Sequence, residues 1–170
     1  MIETEFLTRD FGLKNPPPDE LMQAVLKFMM AFFYCEDRFF QRKCGFWKSK
    51  QYAQLIYKAI KADLPDINLY YDYFKKRYIT GNDADRRILS LIPTDLSDFD
   101  AARVCLNRIF SINDNDNLRK IEAILYVTIR LRNNLFHANK HQSINDNPLE
   151  QAKLIEVAAS FYSEILVRTN

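Results

Sequence analysis

The stretch LRKIEAILYVTIRLRNNLFHA, residues 118–138, places Ile121, Ile124, Leu125, Thr128, Leu131 and Leu135 on one arc of an ideal helix. A helix is the structure that buries such a pattern, and at roughly 22 residues it would be about 33 Å long, enough to cross a small domain. A second stretch of the same kind, residues 19 to about 43, repeats Leu21, Val25, Phe28, Phe32, Cys35 and Phe39 at three- and four-residue steps. Asp19 is its expected N-cap and Gly45 its expected stop.

The remaining chain reads as shorter helices. One is expected from residue 49 to about 62, ending before Pro65, and an aromatic-rich one over INLYYDYFKKRYI. Residues 80–117 look loop-like, with helical pieces at 84–91 and 99–110, and Asp114 or Asp116 can cap the long helix that follows. A last helix is expected from Pro148, a favoured first-turn residue, to the end. With three glycines in 170 residues and no alternating strand pattern, a sheet is not expected. The expected fold is all-α, an up-and-down bundle of about four main helices with an inserted helical loop region. Residues 1–18, ending in Asn-Pro-Pro-Pro, are expected to be an arm, and 19–170 one domain.

A net charge of +2 is too mild for a chain that lives by phosphate contacts alone, so any nucleic-acid binding must be local. Cys35, Cys44 and Cys105 are an odd set without metal-ligand spacing, which points to neither a disulfide framework nor a zinc site, and a reducing, cytoplasmic setting is the default. No apolar run is long enough to span a bilayer and the opening residues lack a signal-peptide core, so no membrane partner is expected.

The long late helix ends in RLRNNLFHANK, which puts two arginines, two asparagines and one of two histidines within eight residues. On the wheel, Arg130, Asn133, Asn134 and His137 lie opposite the apolar arc, and Arg132 lies inside it, where an unpaired guanidinium is costly. Glu36 is the matching charge inside the apolar stripe of the first helix. The two are expected to meet, with Asp37 as the other choice. Each residue alone has a plain structural role: a register-fixing ion pair, a histidine on a helix C-terminus, asparagines near a cap. Together, an arginine fork and a histidine suit phosphodiester cleavage without metal, since the 2′-hydroxyl of RNA is an internal nucleophile. A symmetric dimer would supply a second histidine.

The string Arg132-Asn133-Asn134-Leu135-Phe136-His137 resembles the R-N-x-x-x-H form of the R-x(4–6)-H motif of HEPN domains, and the apolar run leading into it is similar too. The resemblance covers the late helix and fits a long first helix and a closing last one; roughly residues 63–117 are outside it. It implies a metal-independent endoribonuclease of toxin–antitoxin or anti-phage defence type, acting as a homodimer without cofactor, with a possible antitoxin partner. Arg132, Asn133 and His137 are carried over as catalytic, with Glu36, Arg130, Asn134 and Lys140 supporting them. Arg130 also satisfies the looser spacing and is the alternative phosphate ligand. Ala138 stands where relatives often have Gly. Asn139 stands where some toxins of the family carry a modifiable tyrosine, so that mode of control is not implied. The alternative reading is a non-catalytic HEPN-like adaptor that binds a nucleotide or partner. RNA would be approached by Lys75, Lys76, Arg77, Arg86, Arg87, Arg119, Lys120 and Lys140, with Tyr70, Tyr71 and Tyr73 offered for stacking.

Overall fold

The computed structural model describes residues 16–41, 44–92, 97–111, 116–135, 144 and 146–169. It is an all-α bundle, and among the described residues there is no strand. Among the described residues seven α-helices follow one another: α1 (Asp19–Phe39), α2 (Ser49–Ile60), α3 (Ile67–Lys75), α4 (Ala84–Leu89), α5 (Ser97–Phe110), α6 (Asn117–Leu135) and α7 (Pro148–Arg168). A 3₁₀ turn (Phe46–Lys48) leads into α2, and a π turn (Lys76–Thr80) extends α3. No described helix is long and apolar enough to cross a membrane.

α1 is set by its stripe: Leu21, Ala24, Phe28, Phe32, Cys35 and Phe39 are buried. Asp19 is the first helical residue and Pro18 takes the cap position, so the acids Asp19 and Glu20 act on the helix dipole instead of capping it. The helix stops at Phe39, short of the expected residue 43, because Gln41 turns into the left-handed region at φ 52°. Gly45 has another duty: a Cβ there would stand 2.5 Å from the Trp47 ring, so only glycine lets the indole lie against the backbone. Gly81 ends the π turn for a similar reason, since its Cβ would meet the Lys76 carbonyl at 2.8 Å.

α1 packs principally along α7, and α6 is enclosed by α2, α3, α5 and the 3₁₀ turn. α1 and α6 do not pack directly along one another: large rings stand between the α1/α7 pair and α6. Phe32 and Tyr162 meet at 5.2 Å between centroids, and Tyr162 hydroxyl shares a 2.7 Å hydrogen bond with Thr128 of α6. From Lys120 to Leu131 only Glu122 is not buried. Each fully buried Ile, Leu or Val of that run is worth roughly 1.5–3 kcal/mol of burial. Lys120 survives there because its ammonium donates to Asn68 at 2.7 Å and lies over the Tyr71 ring at 5.6 Å. Asp116 caps the helix, accepting from the Arg119 N–H at 3.1 Å.

Candidate nucleic-acid site at the end of α6

The last described turn of α6 carries Arg132, Asn133 and Asn134. Arg132 reaches α1, where its Nη2 lies 3.4 Å from Glu36 Oε2, and its Nη1 donates to Asn133 Oδ1 at 3.1 Å. The guanidinium carbon stands 5.2 Å from the centre of the Phe32 ring, so the aromatic face supports the charge as well. The Arg132 side chain remains 30% exposed and that of Glu36 17%. Both members of the expected pair are therefore in place, and the Arg132 side chain is still partly open to solvent.

The helical wheel misplaced two neighbours. Arg130 and Asn134, expected on a solvent-facing arc, are buried, at 7% and 5% exposure. The reason is that α6 is enclosed on several sides, so the arc opposite its apolar one also meets protein. Arg130 lies over Phe46, 3.8 Å from the ring centre, with Tyr126 at 5.0 Å on the same guanidinium. Asn134 donates its amide to the Ser90 carbonyl at 3.2 Å and thereby ties α6 to the end of α4. Of the two candidate phosphate ligands, Arg132 is the one left accessible. His137 and Lys140 lie outside the described residues, as do His141 and Asp114.

Two thiols border the site. Burial pushes Cys44 up to about 12, with the Glu36 carboxylate acting in the same direction and the Arg132 guanidinium against it. Burial likewise pushes Cys35 up to about 12. Neither is a nucleophile at neutral pH. Among the described residues no group of His, Cys, Asp or Glu is arranged to hold a metal ion.

The basic groove read from the sequence is only partly present. Tyr70 and Tyr71 are buried at 6% and 2% exposure, and the Tyr71 hydroxyl is spent on the Phe110 carbonyl at 2.8 Å, so neither offers a stacking face. Lys120 is a core residue. Arg77, 6% exposed, turns inward to Glu150 at 2.5 Å, and Arg87 joins the same carboxylate at 3.3 Å. Lys75, Lys76 and Arg87 do line one open depression of about 690 Å³, shared with Asp72 and Asp83. The Arg77–Glu150–Arg87 cluster was missed in the sequence. Its only local signal is the start of α7, where Asn147 Oδ1 accepts from the Glu150 N–H at 3.2 Å and its amide donates to Glu150 Oε2 at 2.9 Å.

Comparison with protein-family models, with curated proteins and with solved structures finds no match to this chain.

Proposed function

We propose that the chain is a metal-independent endoribonuclease of the toxin–antitoxin or anti-phage defence kind, with a composite site built by two copies. What supports this reading is Arg132. Arg132 is buttressed by Glu36 and Asn133 and its side chain stays partly exposed, whereas Arg130 is covered. In this reading Arg132 binds the scissile phosphate and stabilises the phosphorane charge, Glu36 and Asn133 position it, and His137 moves protons. The ribose 2′-oxygen attacks phosphorus and gives up its proton, and the bond to the 5′-oxygen breaks as that oxygen takes one. The products are a 2′,3′-cyclic phosphate and a 5′-hydroxyl. A second His137, from the other copy, would let one imidazole act as base and the other as acid. RNA is the substrate because DNA lacks the nucleophile.

The test is incubation of purified protein with RNA and with DNA in excess chelator, repeated with His137→Ala and Arg132→Ala. The expected result is cleavage of RNA alone, cyclic phosphate ends, and a fall of about 10²–10⁴-fold in the His137 variant, the range of one general acid or base. Cleavage that persists undiminished in both variants overturns the assignment.

A further inference from the structure

Arg77 on the π turn, Arg86 and Arg87 on α4, and Glu150 and Gln151 in the first turn of α7 line one cavity of about 170 Å³. Arg77 and Gln151 are 6% and 4% exposed, so both belong to this interior. Glu150 answers two guanidinium groups, Arg77 and Arg87, while Arg86 is drawn to Asp83 at 3.3 Å. Asp83 also stands 4.0 Å from Arg87, and Asp146, exposed, is the other carboxylate of the lining. The charges of the lining itself are three guanidinium groups against two carboxylates.

The hydrogen bonds do not close. The Nε–H of Arg87 is buried without an acceptor and Gln151 Oε1 without a donor, while Arg77 meets the buried Tyr78 hydroxyl besides Glu150. Protein interiors satisfy such groups almost throughout, so two unmet ones on a single cavity, a donor and an acceptor, mark bonds made by something else. The cavity also receives the N-terminus of α7, a 21-residue helix whose dipole favours an anion there. Ser90 belongs to the lining, and its carbonyl holds Asn134, so one hydrogen bond separates this cavity from the turn that carries Arg132.

We infer that the cavity between the π turn, α4 and the start of α7 is a phosphate-binding site, in which Arg77 and Arg87 take the phosphate oxygens and Gln151 accepts from a neighbouring hydroxyl. A ribose 2′-hydroxyl beside a nucleic-acid phosphate supplies that donor, and so does the acid hydroxyl of a free phosphate. That the phosphate belongs to RNA rests on the nuclease reading; that the cavity takes a phosphate does not.

Calorimetric titration of the intact chain with inorganic phosphate, uridine 3′-monophosphate and 2′-deoxyuridine 3′-monophosphate tests this. None of the three can be cleaved internally, so binding is read whether or not the protein cuts RNA. Arg87→Gln is expected to weaken every probe by about ten-fold or more, as loss of a charge-assisted hydrogen bond does. Gln151→Met is expected to abolish any preference for the ribonucleotide over its deoxy form. A ribonucleotide preference assigns the site to an RNA strand; equal binding of all three probes assigns it to free phosphate. Should Arg87→Gln fail to fold, Arg87→Lys, which keeps the charge and loses the fork, takes its place. Absence of binding by all three probes, or binding unchanged in the Arg87 variant, overturns the inference.

Discussion

Arg132 and Glu36 meet 3.4 Å apart between α6 and α1, two helices that otherwise stand off behind large rings. Their contact is intermediate between an exposed pair, worth up to about 1 kcal/mol, and a fully buried one, whose breaking costs about 3–5 kcal/mol. Glu36→Gln is expected to lower stability by about 1–2 kcal/mol in urea unfolding. A change below about 0.5 kcal/mol would show that the two side chains do not hold each other in solution.

Cys44 reports on the same pair. With its thiol held up near 12 by burial and by Glu36, it should react slowly with iodoacetamide at pH 8. Removing the Glu36 charge lowers that value, so Glu36→Gln is expected to speed alkylation of Cys44, read by peptide mass mapping. A slower reaction would mean that the carboxylate does not face the thiol.

Arg130 and Arg132 should separate cleanly in a nuclease assay. Arg130→Met keeps a long stem over Phe46 and should cost stability, by about 1 kcal/mol, with little change in cleavage per folded molecule. Arg132→Met should abolish cleavage while costing a similar amount of stability. The reverse pattern would hand the phosphate to Arg130.

Thr128 and Tyr162 share a hydrogen bond in the fully buried core. Thr128→Val strands the phenol and is expected to cost about 1–3 kcal/mol, and adding Tyr162→Phe should recover part of it, because removing both polar partners is cheaper than removing one. Thermal melts of the two single variants and the double variant measure this. Strictly additive losses would deny the bond.

Glu150 sets an acid limit. Burial works to raise its carboxyl, and Arg77, with Arg87 behind it, outweighs that and holds it below its ordinary value of 4.5. A carboxyl lowered on folding confers stability that is complete above about pH 4.5 and drains as the pH falls through the lower folded value. Glu150→Gln should therefore cost about 3 kcal/mol near pH 7, because it leaves Arg77 buried with less charge to meet. The gap between variant and parent should narrow below pH 4.5 in pH-dependent denaturation. A gap independent of pH would remove Glu150 from this account.

The long helices were legible because each has one dominant apolar stripe, as Leu21, Phe28 and Phe32 show in α1, and because Pro148 marks a start. The ion pair was legible for the same reason: Glu36 and Arg132 are charges set inside such stripes. Arg130 and Asn134 were misread because a wheel assumes one wet side, and α6 has neighbours on several. Arg77 and Glu150 are 73 residues apart. No local pattern links a basic run on one turn to an acid on the first turn of a distant helix, so that cluster emerges only once the chain is folded.

The rings of α1 rest on α7: Phe28 and Phe32 against Tyr162, with Arg38 donating to the Thr169 carbonyl at 3.0 Å. A chain emerging from the ribosome makes α1 early and its supporting partner late. Glu36 therefore has no fixed platform from which to hold Arg132 until translation has passed α7, and a nascent fragment lacking that helix would carry the motif without its brace.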